Sequence, residues 1–477
     1  MESRIGILDS SCAVWSTGYC QRIVTPGGAM EVKLIIGMGK SGLACAKKML
    51  EMGHDIVVYD KNARKVIRQS EWEDVAKKWK IRLLEDDWKL KDVEAVDEAI
   101  ISPGVPTDLP LVDVVRQLGI PIVGEIELAY RFIKAPMVGI TGTNGKTTTT
   151  TLVYEIFKES GSSVYLAGNI GYPLMDLVDL VDEDDLVVVE LSSFQLESID
   201  DFRVKLGMIL NITPDHLDRH HTMDAYIDAK MNIFKNCDSM DFALLNREDP
   251  LIQKASVNLK CRILYFSTKG PVKDGAFVAG ERIMLSRDNE TLDLMGLNEL
   301  KVPGIHNVQN ILAAAAGAFF MGVPVGHIRS AIRKFGGVEH RIEYVGSRNG
   351  VFYYNDSKGT NTDAGIIALK AMNAPVVLIA GGYDKNADYK EWIQQFHGRV
   401  KKVFLIGETA AKIKEQALQL DFTDVEICSS LEEAVKRSAQ TAQTGDAVLL
   451  SPACASWDMF ENYEVRGTRF KELVEQL

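Results

Sequence analysis

The sequence predicts an α/β protein of three domains: a Rossmann-like N-terminal domain, a central domain with a P-loop-type sheet, and a Rossmann-like C-terminal domain. Three observations carry this. Short β-branched runs alternate with amphipathic helical stretches along most of the chain, the pattern of parallel sheets joined by crossover helices. Two glycine-rich loops each follow such a run and open a helix. The length of 477 residues, at roughly 100–200 residues per domain, leaves room for two to four domains.

Composition narrows the class. Hydrophobic residues make up 46% and charged residues 25%, ordinary values for a globular chain rather than a fibrous or disordered one. Acidic residues outnumber basic ones, 66 to 54, for a net charge of −12. That excess disfavours a general electrostatic grip on nucleic acid or on an anionic membrane. No apolar run approaches the ~18 residues that a membrane helix needs. The seven cysteines are scattered, with no CxxC or Cys/His metal spacing, which reads as free thiols in a reducing cytoplasm. Residues 1–29 lack a continuous apolar segment and contain Pro26-Gly27-Gly28, so they read as an N-terminal extension and not as a signal peptide.

The elements follow in order. In 30–135, Val32–Ile36 reads as a strand, Leu43–Met52 as a helix ended by Gly53, and Ile56–Tyr59 as a second strand. Ala99–Ile101 is a strand running into Ser102-Pro103-Gly104, and Pro121–Val123 precedes a helix from Glu125. In 136–337, the apolar runs Met137–Ile140, Leu186–Val189 and Leu206–Asn211 read as buried strands, with helices over Asp224–Phe234, Asn307–Met321 and Ile328–Lys334. In 338–477, strands are expected at Val351–Tyr354, Val376–Ala380, Val403–Ile406, Val425–Cys428 and Ala447–Leu450, with helices such as Leu431–Gln440 between them. Pro136 and Gly336-Gly337 mark the breaks.

Gly37-Met38-Gly39-Lys40-Ser41-Gly42 fits GxGxxG between a strand and a helix. Glycines there permit a tight turn and close backbone approach, and the helix amides offer partial positive charge to a diphosphate. Asp60 ends the next strand, where a carboxylate can accept from a ribose or base.

Thr141-Gly142-Thr143-Asn144-Gly145-Lys146-Thr147-Thr148 is the sharper signal. Backbone amides of such a loop can cradle phosphates, Lys146 can reach the terminal ones, and the Thr147 hydroxyl can ligate Mg²⁺. The glycine spacing departs from GxxxxGK[ST]. The threonine run after Lys146 is a mediocre helix former and so points to function. This makes the central domain a P-loop-type ATPase sheet.

Glu190 follows the apolar run Leu186–Val189 and falls at the carboxyl edge of a parallel sheet, where ligands bind and where it can hold Mg²⁺ beside Thr147. His216 lies in a loop past another buried strand, next to Asp215; a metal role and a solvated loop histidine both fit. Lys230 sits in a helix, and nothing local distinguishes it. Asn307 and Asn310 share a helix face and suit an adenine or phosphate, or simple capping. In the last third, Arg341 and three strand-end loops, Asn355–Asn361, Gly381–Lys385 and Leu450–Ser456, converge on one sheet edge fit to bind an anion. A dinucleotide-binding regulator or oxidoreductase would account for the first glycine loop but leave the Lys146 loop unexplained.

Gly139–Thr148, Glu190, Thr213–Arg219, Lys230 and His306–Asn310 together resemble the ATP-dependent Mur ligases, which build the peptide stem of peptidoglycan in cell-wall biosynthesis. Asn355–Asn361, Gly381–Asp388 and Ser451–Phe460 resemble the branch that joins D-glutamate to UDP-N-acetylmuramoyl-L-alanine. The resemblance covers the chain from about Met30 onward. It implies that Gly39, Lys40, Ser41 and Gly42 face the UDP diphosphate, Asp60, Lys61 and Asn62 the uracil, and Ser102, Pro103, Gly104 and Asn169 the sugar-linked substrate. It places Gly142, Thr143, Asn144, Gly145, Lys146, Thr147, Thr148, Asn307, Asn310, Arg341, Asp356 and Lys358 on ATP. It assigns two Mg²⁺ ions to Thr147, Glu190, His216 and Lys230, the last as a carbamate formed with CO₂. Lys146, Glu190, His216 and Lys230 are then the catalytic set. Thr360, Lys385, Ser456 and Tyr463 match the D-glutamate pocket. A cytoplasmic monomer is expected.

Overall fold

The computed structural model describes residues 31–68, 70–302, 304–384 and 387–477. The N-terminal extension expected over residues 1–29 and the pocket residue Lys385 lie outside the described residues. The chain divides into two compact units, one ending at Ser102 and resuming over Thr107–Ile122, the other comprising Pro103–Pro106 and Val123–Leu477.

The first unit is built on β1 (Val32–Ile36), β2 (Asp55–Tyr59), β3 (Arg82–Leu84) and β4 (Glu98–Ile101), in a sheet of order β3-β2-β1-β4-β5 in which β5 (Ile122–Gly124) has only Ile122 in that unit. β1 pairs in parallel with both β2 and β4, so the order reverses beside β1, and the glycine loop leaves the sheet there. The helix after it runs Lys40–Glu51 and starts earlier than its apolar pattern suggests, with Gly39 as N-cap. Gly42 is required by close approach: a Cβ on it would lie 2.0 Å from the Gly37 carbonyl oxygen.

The second unit holds two sheets. One contains β6 (Met137–Thr141), β7 (Val164–Gly168), β8 (Leu186–Glu190), β9 (Leu206–Ile209), β10 (Phe242–Asn246), β11 (Arg262–Ser267), β12 (Gly275–Ala279), β13 (Arg282–Arg287) and β14 (Glu290–Gly296). Its order is β14-β13-β12-β11-β10-β9-β6-β8-β7. The strands at its centre are buried along their whole length, as strands covered on both faces must be. Helices Lys146–Glu159 and Ile305–Phe320 pack on the sheet, and Ala313, Ala314, Ala315 and Ala316 of the latter are fully buried, their small side chains letting the backbone come close to the strands. β9 stops at Ile209, short of the expected Asn211, and the helix expected over Asp224–Phe234 is an α-helix Met223–Met231 followed by a 3₁₀ turn.

The antiparallel arm β12–β13–β14 is absent from the sequence reading. The turn between β13 and β14 is carried by Asp288 and Asn289, with φ of 53° and 67°, as a tight hairpin between right-twisted strands needs.

The other sheet contains β15 (Glu343–Arg348), β16 (Val351–Asn355), β17 (Val376–Ala380), β18 (Val400–Leu405), β19 (Val425–Ile427) and β20 (Ala447–Leu450), in the order β15-β16-β20-β17-β18-β19. β16, β20 and β17 are adjacent and parallel, so the three loops singled out in the sequence leave the same edge side by side. β15 joins antiparallel through the turn Asn349-Gly350, a strong hairpin signal that the α/β rhythm masked.

Candidate functional site

The phosphate loop leaves β6, which lies between β8 and β9 at the centre of its sheet. Its form is set by β9's continuation. The Asn211 side chain accepts from the Asn144 amide at 2.8 Å and donates to the Asn144 carbonyl at 2.9 Å, while the Asn211 carbonyl accepts from the Thr143 amide at 2.9 Å. The Thr143 hydroxyl donates to the Thr213 carbonyl and accepts from the Thr213 amide, and it lies 3.1 Å from the Tyr226 hydroxyl. Gly145 caps the following helix with φ of 85°, and a Cβ there would stand 2.3 Å from Asn310 Oδ1. Asn310, buried, in turn donates to Asn307 Oδ1 at 3.4 Å. The asparagine pair therefore packs against the phosphate loop, and Thr147 and Thr148 are buried at the start of the helix.

Lys146 Nζ donates to the Gly142 and Thr143 carbonyls at 3.0 and 2.9 Å. Lys230, only 2% exposed, donates to the same Gly142 carbonyl at 2.9 Å, with its ammonium 4.6 Å from the centre of the Tyr226 ring. Burial pulls the Lys146 pKa below the ordinary lysine value, and the charges of Arg341 and Lys358 pull it further while Glu190 and Asp215 oppose them. Burial likewise depresses Lys230, well below the ordinary value, with the Lys146 charge adding to the effect. Lys358 is lowered by burial and by Arg341, against Glu190. The positive charges of Arg341 and Lys358 thus act on Lys146, and that of Arg341 on Lys358. Such an array is stabilised by a polyanion placed among them.

Glu190 ends β8 and is 1% exposed. Asn169 Nδ2 donates to its Oε1 at 2.8 Å, and the Asn169 amide donates to its backbone carbonyl at 2.9 Å. Glu190 Oε2 is buried and has no hydrogen-bond partner among the described residues. A buried carboxyl oxygen left without a partner is costly, and a cation placed against it would relieve that cost. Glu190 and Thr147 thus fit a hard divalent metal, which takes oxygen ligands. His216 stands at φ 52°, its half-exposed side chain 3.5 Å from Asp215 and edge-on to Phe194. Among the described residues no three His, Cys, Asp or Glu side chains gather as a metal site.

At the other sheet, Asp356 is buried, accepting from the Ser451 hydroxyl at 2.7 Å and from the Ile342 amide at 3.3 Å. Burial raises its pKa to about 7, against Ser451 and Arg341. Ser456 is buried, Thr360 half-buried, and the half-buried Tyr463 ring has Lys358 Nζ 5.7 Å from its centre. Arg466, 1% exposed, organises these loops: it donates to the Ser357 hydroxyl and carbonyl at 3.0 and 2.9 Å and to the Cys454 and Ala455 carbonyls at 3.1 and 3.3 Å. Burial brings even this guanidinium down to about 10.

In the first unit, Gly39, Lys40, Lys61 and Asn62 are exposed and Ser41 half-buried at the end of β1 and β2. Both oxygens of Asp60 accept backbone amides, from Met38 at 3.1 Å and Asn62 at 2.9 Å. Asp60 therefore shapes the glycine loop as well as standing at its rim. Ser102 donates to the Gly37 carbonyl at 3.2 Å. Pro103 and Gly104 belong to the second unit.

The sequence reading assigned no role to Asn211, Tyr226 or Arg466. Asn211 carries a signal, as the polar residue that ends the expected strand Leu206–Asn211; Tyr226 and Arg466 lie in helices and carry none.

The fold and site define a phosphate-loop enzyme, with a glycine-rich loop at the centre of one sheet and three adjacent strand-end loops on another. Residues 31–124 match the MurD-like N-terminal domain of Mur ligases, 140–318 the Mur ligase middle domain, and 340–454 the Mur ligase glutamate ligase domain. The chain belongs to the Mur ligase family. It is 45% identical over 454 residues to the UDP-N-acetylmuramoylalanine–D-glutamate ligase of Thermoanaerobacter sp. (strain X514), covering 94% of this chain and 100% of that one. The ligase of that name from Alkaliphilus oremlandii is 43% identical over 454 residues, covering 93% and 98%. Solved structures share the fold. A pseudomurein peptide ligase type C from Methanothermus fervidus aligns with a TM-score of 0.56 at 20% identity, covering 94% of this chain and 99% of that one. MurF ligase from Thermotoga maritima in complex with ADP aligns with 0.55 at 17%, covering 94% and 96%.

Proposed function

We propose that this protein joins D-glutamate to UDP-N-acetylmuramoyl-L-alanine, with ATP converted to ADP and phosphate, as a step of peptidoglycan synthesis for the cell wall. The observation that carries this is the glycine-rich loop held by Asn211, with Lys146 Nζ on its Gly142 and Thr143 carbonyls, in a chain similar over nearly its whole length to ligases of that name.

The residues divide the work. Thr143, Asn144, Gly145, Lys146, Thr147 and Thr148 cradle the triphosphate, with Asn307 and Asn310 behind the loop and Arg341, Asp356 and Lys358 closing on it. A carboxylate is a poor electrophile because oxide is a poor leaving group. Transfer of the γ-phosphoryl onto the substrate's carboxylate forms an acyl phosphate and releases ADP; the cations Lys146, Arg341 and Lys358 balance the charge on the transferring group. The neutral amine of D-glutamate attacks the acyl carbon, and phosphate leaves with the bonding pair. Lys385, Thr360, Ser456 and Tyr463 hold the D-glutamate carboxylates and bring the amine into line.

Two Mg²⁺ ions are read at Thr147, Glu190, His216 and Lys230, where they supply charge neutralisation. Lys230 fits the carbamate reading because its depressed pKa leaves amine free to add CO₂. Gly39–Gly42, Asp60, Lys61, Asn62, Ser102, Pro103, Gly104 and Asn169 take the UDP-linked substrate. Domain limits of 30–135, 136–337 and 338–477 match this division into UDP-sugar, ATP and amino-acid duties. A monomer acting in the cytoplasm completes the reading; no helix among the described residues is long and apolar enough to cross a membrane.

The test is phosphate and ADP release with UDP-N-acetylmuramoyl-L-alanine and a panel of amino acids. Release with D-glutamate and not with L-alanine, L-lysine or diaminopimelate is expected; turnover with one of the others instead of D-glutamate would assign a sister activity.

A further inference from the structure

Arg219 stands one turn beyond His216, and its amide donates to the His216 carbonyl at 3.1 Å. Its side chain is 15% exposed and its guanidinium nitrogens are bonded on two sides. Nε and Nη2 donate to Glu197 Oε2 at 3.3 and 2.8 Å, and Nη1 donates to the carbonyls of Pro103 and Val105, each at 3.0 Å. The guanidinium lies over the Phe194 ring, 4.3 Å from its centre. Glu197 is itself held: its other oxygen is 3.1 Å from His220 Nδ1, and His220 Nε2 lies 3.0 Å from the Ser193 hydroxyl. Burial keeps the His220 ring below its ordinary pKa.

The segment being gripped explains why an arginine is used. Pro103 and Pro106 have no N–H, so this turn cannot be secured by a backbone ladder through those positions. Its carbonyls must be held by an outside donor, and a planar fork reaching a carboxylate on one side and two carbonyls on the other fixes direction as well as distance. A lysine carries its three donors on one nitrogen and lacks the planar fork that spans the two sides.

We propose that Arg219 is a positioning residue for the UDP-linked acid, clamping the turn Pro103–Pro106 to the bend that carries His216. This rests on the reading in which Ser102, Pro103 and Gly104 face that substrate. Binding of the acid then depends on a turn whose place is set from the nucleotide-binding sheet, and Glu197 sets the clamp.

Steady-state kinetics on the full chain with Arg219→Ala, Arg219→Lys and Glu197→Gln test this, together with peptide-level hydrogen exchange over 98–110. Both Arg219 variants are expected to raise KM for UDP-N-acetylmuramoyl-L-alanine about tenfold or more while KM for ATP and D-glutamate stays within about twofold. Glu197→Gln should move the same constant by less. Without ligands, the 98–110 peptide should exchange about tenfold faster in Arg219→Ala. An unmoved KM for the UDP-linked acid, a parallel rise in all three constants, or parent-like behaviour of Arg219→Lys would overturn the assignment. Should Arg219→Ala not fold, the other two variants decide. If the parent does not turn over this acid at all, the functional reading fails, and unchanged exchange would still refute the clamp by itself.

Discussion

Lys146 and Lys230 donate to one and the same carbonyl oxygen, that of Gly142, at 3.0 and 2.9 Å. A carbonyl has two lone pairs and can serve both, but two ammonium groups drawn to one atom repel, and burial penalises each charge further. Among the described residues no carboxylate forms an ion pair with Lys230; its other contact is the Tyr226 ring. The relation turns an ordinary helix lysine into an amine that gives up its proton easily.

A carbamate on Lys230 should therefore be detectable. Protein equilibrated with ¹³C-bicarbonate is expected to show a carbamate carbonyl resonance that disappears in Lys230→Ala, with turnover falling at least about 100-fold. Acidification should erase the signal, because the ammonium form is not nucleophilic. A persistent resonance in Lys230→Ala would locate the group elsewhere.

Lys146→Ala should abolish ADP and phosphate release, by about 10³-fold or more, since its charge sits where the transferred phosphoryl group develops charge. Retained activity would refute the phosphate-loop assignment.

Asn169 orients Glu190 through its 2.8 Å bond. Asn169→Ala leaves the carboxylate in place but free to turn, and the Mg²⁺ concentration for half-maximal activity is expected to rise about 10–100-fold. A metal titration at saturating ATP measures it; an unchanged midpoint would sever Glu190 from metal binding.

Gly145→Ala combines a φ of 85° with a Cβ 2.3 Å from Asn310 Oδ1. The backbone conformation alone costs about 1–2 kcal/mol for a non-glycine residue. Thermal unfolding should show a lower midpoint, and KM for ATP should rise about tenfold.

Glu125 is buried; its Oε1 accepts from the Met175 amide at 2.7 Å and its Oε2 has no partner among the described residues. Burial raises its pKa from 4.5 to about 7. Between these values the folded protein holds a proton that the unfolded chain has lost, so stability falls as pH rises through that window and levels off above about 7. Glu125→Gln cannot titrate. Its stability relative to the parent should therefore grow between about pH 5 and about pH 8, by on the order of 3 kcal/mol, as read from denaturant midpoints. A constant difference across that range would remove Glu125 as the source.

Much of the site was legible because it depends on local backbone. A β-branched run followed by glycines and a helix places Gly37–Gly42 and Thr141–Thr147 at strand ends whatever surrounds them, and an acid directly after Leu186–Val189 must fall at the same edge. The hairpins at Asp288-Asn289 and Asn349-Gly350 were equally local and were hidden by the parallel rhythm on either side.

Other features had no local trace. The sequence by itself determined the strand–loop–helix units, the glycines that let them turn, and the order in which they occur. Only the tertiary structure decided that Lys230 loses its water and that Arg466 ties Ser357 to Cys454 and Ala455. The reason is physical: backbone conformation follows from neighbours in the chain, whereas desolvation and Coulomb energy follow from neighbours in space.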